Sequence, residues 1–195
     1  MTDRVETGRI PSLLPWSAGD VSIRGFTADD LESLVEYRNI EDVWRLQDWD
    51  VPYTMDRAMR FLDDDTSSFA PGEWVQLAVT HEGVFAGDIG FTAPSDDQPV
   101  WIGYSLHPDF WGRGIATSAV RLTIRRLHRS GATRFRASVD ARNTASAALL
   151  VRCGFSLLDI KQPITVRGED YLDDVYELVV DSGDFDFGAV GTEGS

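Results

Sequence analysis

Residues 101–155 constrain this chain more than any other stretch. They contain IGYSLHPDFWGRGIATSAVRLTIRRLH and then FRASVDARNTASAALLVRCGF. An alternating strand runs through a Gly-containing turn into an amphipathic helix, and a second strand, a short helix opened by Asn143 and a stop at Gly154 follow. A strand that delivers the chain to a helix N-terminus leaves several backbone N–H groups without intrahelical partners, and the helix dipole adds positive charge at the same point. Such a terminus cradles anions. The pattern predicts a site for a phosphorylated cofactor around residues 111–117.

The charge map agrees. The chain of 195 residues carries a formal net charge of -14, from 18 basic and 32 acidic residues. From Arg113 to Arg152 nine Arg face a single acid, Asp140, so that segment stands near +8 within a remainder near -22. A polyanion belongs at the segment and a cation outside it. Any one of Arg121, Arg125, Arg126 or Arg129 is unremarkable on the solvated face of a helix, and only the regional imbalance carries weight. A pI near 4.5 argues against nucleic acid as the main partner.

Length suggests one domain with a normal core. No apolar run approaches the roughly 20 residues of a membrane span, and Asp3, Arg4, Glu6 and Arg9 leave no apolar centre for a secretory signal. The expectation is a soluble, cytoplasmic protein without a membrane partner. One cysteine, Cys153, excludes an internal disulfide and a cysteine-rich zinc site, and no metal is expected.

Hydrophobic periodicity predicts strands at 21–26, 74–80, 84–91, 100–106, 134–139 and from 155 to 160, with helices at 29–38, 54–62, 115–128 and 144–152. His81, Glu82 and Gly83 turn a hairpin. Residues 41–50 are short and Trp-rich, Thr54 caps the helix after them, and Asp63, Asp64, Asp65, Ser67 and Ser68 end it. A pair at 164–169 and 175–180 closes the sheet. Residues 1–18 read as an N-terminal extension, 19–181 as the domain and 182–195 as a flexible acidic, Gly-rich tail.

WGRGIA at residues 111–116 resembles the acetyl-CoA pyrophosphate loop of the GNAT superfamily of N-acetyltransferases, whose pattern is Gln/Arg-x-x-Gly-x-Gly/Ala. Gly114 and Ala116 match its last two positions, and Trp111 at the first is what the RimJ/RimL-type branch uses. That branch also shows IGY, Ala-Thr, Asn-x-x-Ser and Gly-Phe, here at residues 102–104, 116–117, 143–146 and 154–155. The resemblance covers about residues 20–180. It implies an α/β (α+β) fold with a mixed, mostly antiparallel sheet, splayed in the middle to admit acetyl-CoA and flanked by helices.

The chemistry of those positions follows independently. Gly114 lets a phosphate approach without a Cβ in the way, and the amides from Arg113 through Ile115 and Ala116 to Thr117 donate to it. Trp111 and Gly112 are counted with them as cofactor-binding residues of the loop, and Arg113 and Arg142 reach further phosphate charge. Asn143 caps a helix. By resemblance Asn143 also touches the pantetheine arm, and a main-chain N–H beside Leu106 meets the thioester carbonyl.

Acetyl transfer to an amine needs a donor for the developing oxyanion, a route for the ammonium proton and stabilisation of the leaving thiolate. Many members of the family it resembles place a Tyr near the cofactor sulfur; none stands between Tyr104 and Tyr171 here, so the resemblance makes Ser146 the candidate, as in the RimJ/RimL-type branch. Asp88 and Asp140 lead as bases, with Asp173 and Asp174 behind them, and a water chain is an alternative. His107, before Pro108, reads as a turn residue that could titrate. Trp44, Trp49, Trp74 and Tyr104 are the acceptor contacts to test, with Tyr53 and Trp16 beside them, although each aromatic also fits a core.

The favoured function is an acetyl-CoA-dependent N-acetyltransferase acting on a cationic primary amine, a protein N-terminus ahead of a polyamine or an aminoglycoside-type antibiotic. A non-catalytic acyl-CoA-binding regulatory module is the alternative. A homodimer remains open.

Overall fold

The computed structural model describes residues 14–63, 69–95 and 98–181. The expected extension up to residue 13, the tail from 182 and the stop at Asp64, Asp65, Ser67 and Ser68 lie outside them.

Eight strands among the described residues make one sheet: β1 Trp16–Ala18, β2 Val21–Arg24, β3 Trp74–His81, β4 Val84–Thr92, β5 Val100–Leu106, β6 Arg134–Val139, β7 Ser156–Val166 and β8 Glu169–Val179. Their order is β1-β2-β3-β4-β5-β6-β8-β7. Only the β5–β6 pair is parallel. The helices are α1 Leu31–Arg38, α2 Glu41–Trp44, α3 Met55–Asp63, α4 Ile115–Arg129 and α5 Thr144–Arg152. None among the described residues is long and apolar enough to cross a membrane.

Two apolar clusters hold these layers. The larger packs α4 residues Val120, Ile124 and Leu127 and α5 residue Leu150 on the sheet through Leu77, Ile89 and Phe135. The smaller gathers Leu34, Tyr37, Val43, Tyr53 and Ala58 of the α1–α3 region against Phe26 and Phe85. Alternation of apolar residues along β3 and β4 and the 3.6-residue spacing along α4 produce this sandwich directly. The Glu82–Gly83 turn takes left-handed φ values of 52° and 81°, as a two-residue hairpin turn matched to strand twist requires.

The sheet opens in the middle. β5 and β6 are in register only at Val100↔Phe135 and Trp101↔Arg136. Beyond them β5 stays with β4 as far as Leu106, while β6 pairs along its whole length with β8. The backbone of β5 past Trp101 therefore has a free edge in the wedge.

Two expectations change here. The 18/19 boundary falls inside the β1–β2 hairpin, and Trp16 is fully buried with its ring stacked 6.1 Å from Phe91, so it belongs to the core and not to an acceptor pocket. The segments at 155–160, 164–169 and 175–180 are instead two long strands, turned at Arg167–Gly168 with φ of 50° and 83°. Pro163 lies inside β7 because β7 is the sheet's outer strand, where a missing N–H costs no ladder bond.

Candidate active site

Two clefts meet at the free edge of β5. One, of about 710 Å³, is walled by the end of β5, the loop into α4 and the face of α5. The other, of about 840 Å³, lies between the α1–α3 region, the β3–β5 face and the β6 and β8 strands. Tyr104, Asn143, Leu46 and Gln47 line both.

The first cleft is shaped by the loop. After Leu106 a 3₁₀ turn over Pro108–Phe110 is capped by His107, whose Nδ1 accepts the Asp109 N–H at 3.1 Å. His107 is thus the turn residue it resembles in sequence and lines neither cleft. The Trp111 indole N–H donates to the Leu106 carbonyl at 2.8 Å, closing the loop back onto β5. That bond gives Trp111 a structural task where Gln or Arg is otherwise usual. Gly114, at φ 77°, is the N-cap of α4, a conformation a side chain resists. A Cβ there would meet no protein atom within 4 Å, so it would project into open space.

No side chain caps α4 and its first turn holds no acid. Its leading amides therefore remain available at the cleft wall that Gly112, Gly114, Ile115, Ala116 and Thr117 form, which fits a pyrophosphate. Ile115 is buried and fixes the turn below it. Arg113 lies over the Phe110 ring at 5.6 Å. Arg142 is paired with Asp140 and stacked 5.0 Å over Tyr171, so its charge is already partly balanced.

On α5 the Asn143 Oδ1 accepts the Ser146 N–H at 3.1 Å, the predicted cap. The Ser146 hydroxyl stands 2.8 Å from the Tyr104 hydroxyl, whose pKa burial pushes up to about 12.

The second cleft rearranges the expected roles. Asp88, 3% exposed, accepts from Tyr37, from Arg38 Nη2 at 3.0 Å and from Gln76 Nε2 at 2.6 Å. Its oxygens are thus already taken by three donors, one of them a guanidinium, which is the arrangement of a structural anchor. Burial alone would depress the Arg38 pKa, but Asp88 raises it. Burial, first, and then the Asp88 charge push the Tyr37 phenol up. Asp140 takes the Arg142 side chain and its backbone N–H at 2.8 Å. The Arg142 bonds hold Asp140 below the usual carboxylate range, which suits an ion pair and not proton abstraction.

Asp173 differs from both. It is 7% exposed, lines the cleft and has no cation paired with it among the described residues. Burial first, then the Asp140 charge, raise its pKa. Asp174 is taken by Lys161.

The aromatic residues divide in the same way. Arg38 sits 4.8 Å from the Trp49 and Tyr53 ring centroids and 5.4 Å from Phe61, and the Trp49 indole donates to the Arg38 carbonyl at 3.1 Å. Trp49 and Tyr53 thus cage an internal cation, although Trp49 still borders the cleft. Trp44 is stacked under Arg167 at 4.9 Å and lines neither cleft. Trp74 does line the second cleft, 47% exposed. Its ring lies on Gly90, where a Cβ would come within 2.3 Å, and its N–H donates to Gln76 Oε1 at 2.6 Å. The sequence reading missed Tyr37, Arg38 and Gln76. Gln76 and Asp88, two polar residues inside the apolar runs VQLAV and GDIG, were the available signal.

A protein-family profile described as acetyltransferase (GNAT) domain matches residues 20–156. No curated protein matches the chain by sequence. Among solved structures, the ribosomal L7/L12 alpha-N-protein acetyltransferase RimL, in complex with coenzyme A, is similar at TM-score 0.74 and 21% identity, over 87% of this chain and 99% of that one. The microcin C7 self-immunity acetyltransferase MccE, in complex with acetyl-CoA and AMP, gives 0.71 and 21%, over 84% and 94%. RimJ of Mycobacterium smegmatis, in complex with CoA-disulfide, gives 0.69 and 19%, over 82% and 81%. These likenesses concern the fold, a splayed sheet with a loop-to-helix wall beside the opening, and the profile extends over most of the residues that build it. The chain belongs to the acetyltransferase (GNAT) domain family.

Proposed function

We propose that this GNAT acetyltransferase, whose acetyl donor is acetyl-CoA, acylates the primary amine of a cationic acceptor, a protein N-terminus by preference, and that Asp173 receives the ammonium proton. The observation that carries the reading is the meeting of an uncapped helix N-terminus in one cleft with an unpaired, buried carboxylate in the other, across the free edge of β5. The α4 amides would hold the pyrophosphate, and amides on the open side of β5 would receive the oxygen of the tetrahedral intermediate. Holding thioester and amine together at the wedge supplies much of the rate.

The acceptor cleft has the charge for such a substrate. Asp48, Asp88, Asp140 and Asp173 line it, and among the described residues Asp88 and Asp140 have a cation bound to them while Asp48 and Asp173 do not. A carboxyl with a raised pKa sits closer to the working pH, where a base is most effective. RimL's L7/L12 substrate supports a protein N-terminus by analogy of fold alone. A small cationic ring compound is the second reading, favoured by the open face of Trp74.

Thiol release from acetyl-CoA with N-terminally free peptides, polyamines and aminoglycosides tests the reading. Release with any of them supports the enzyme and ranks the acceptors. Tight CoA binding without release from any amine would make the chain an acyl-CoA-binding module instead.

A further inference from the structure

Tyr104 is where the two clefts touch, and its hydroxyl has two oxygens within reach, both belonging to Ser146. The hydroxyl Oγ is at 2.8 Å and the carbonyl oxygen at 3.4 Å. The shorter contact has the length of a normal O–H···O bond and the longer one lies outside that range. A phenol is the stronger donor and an alkyl hydroxyl the stronger acceptor, so the Tyr104 proton points at Ser146 Oγ. The Ser146 N–H is already given to Asn143, which pins this residue in the first turn of α5. Its own hydroxyl proton, turned away from Tyr104, is left for the cofactor cleft that Ser146 lines.

We propose that Tyr104 is a positioning residue that aims the Ser146 hydroxyl proton at the thioester sulfur of bound acetyl-CoA; this rests on the acetyltransferase reading of the same clefts. As the C–N bond forms and the C–S bond breaks, the sulfur leaves with the bonding pair. The Ser146 O–H donates a hydrogen bond to that thiolate, and neither Ser146 nor Tyr104 needs to give up its proton. The acceptor nitrogen loses two protons in all: the first goes to Asp173 before attack, and the second, released as the tetrahedral intermediate collapses to the amide, reaches the thiolate through solvent and completes the thiol. Because Tyr104 stays protonated up to about pH 12, the arrangement holds across the working range.

The test is a double-mutant cycle read by steady-state thiol release. Tyr104→Phe keeps the ring and removes the hydroxyl, and should lower kcat about 10-fold, with both Michaelis constants within about twofold of wild type. In a Ser146→Ala background, itself slower by about 10- to 1000-fold, the same change should cost nothing further. Equal losses in the two backgrounds, an unchanged kcat, or a raised Michaelis constant for the amine alone would each overturn the proposal, the last by making Tyr104 an acceptor contact. Wild type without thiol release would instead sink the enzymatic reading itself.

Should the Phe variant not fold, a polyfluorinated tyrosine at position 104 retains shape and brings the phenol pKa into the assay range. A basic limb in kcat that disappears in Ser146→Ala supports the proposal. A flat profile overturns it.

Discussion

The two clefts are made of different material. The cleft proposed for the cofactor draws most of its wall from two consecutive segments, 104–117 and 142–152, with residues 42–47 closing one side, and its proposed key parts are helix-leading amides and a left-handed glycine. The acceptor side is mostly side chain, assembled from residues as distant as Arg38 and Asp173, and its character depends on which carboxylates found cations. A main-chain cradle needs only a local pattern, so it works wherever that pattern occurs. A charge arrangement is a balance between partners, and one pairing changes what every neighbour can do.

The sharpest way to break this contrast is Gly114→Val. Forcing a branched residue to φ 77° costs about 1–3 kcal/mol, and its methyls would stand in the phosphate approach. The CoA dissociation constant should rise by about 100-fold or more, while the unfolding transition falls only by what that backbone strain accounts for, because no protein atom is in the way. Calorimetry showing wild-type affinity would remove the cradle.

Asp88→Asn distinguishes anchor from base. Neutralising one member of the buried Asp88–Arg38 pair should cost about 3 kcal/mol, because Arg38 keeps its charge without a counter-ion. Urea denaturation reads this directly. An unchanged midpoint with activity lost would restore Asp88 as the base.

Asp173→Asn should lower kcat/KM about 100-fold and remove the acidic limb of its pH profile. A carboxyl whose pKa is raised on folding binds its proton more tightly in the folded state than in the unfolded one. Wild type should therefore lose stability as pH rises through that value, and the Asn variant should not. A profile and a stability curve identical to wild type would dismiss Asp173 from the chemistry.

The smallest effect is ionic. Since screening acts over about 10 Å at roughly 0.1 M salt, the acceptor's Michaelis constant at saturating acetyl-CoA should rise severalfold with salt. A flat response for every acceptor would mean that the acidic cleft does not recruit cations.

Local pattern was enough for most elements. β6 and α5 coincide with the expected 134–139 and 144–152, because β6 has a clean two-residue period and α5 has both its ends marked, by Asn143 before it and Gly154 after it. The β7–β8 hairpin was misread because β7 is an outer strand, exposed along most of its length, and exposure erases the alternation that reveals a strand. Trp16 stood between core and acceptor pocket in the sequence because a tryptophan's burial depends on what folds over it, here Phe91 from a strand 75 positions away.

The sequence by itself determined the family resemblance, the glycine-led start of α4, the Asn143 cap and the acidic surroundings, all of which are properties of contiguous residues. Only the tertiary structure decided that Arg38 neutralises Asp88, that Arg142 neutralises Asp140 and that Asp173 is left over, and only it brought Tyr104 to Ser146. The reason is range. Backbone donors are positioned by their own neighbours in the chain, whereas a buried charge takes its pKa from whatever packing brings within a few ångströms, and sequence distance says nothing about that.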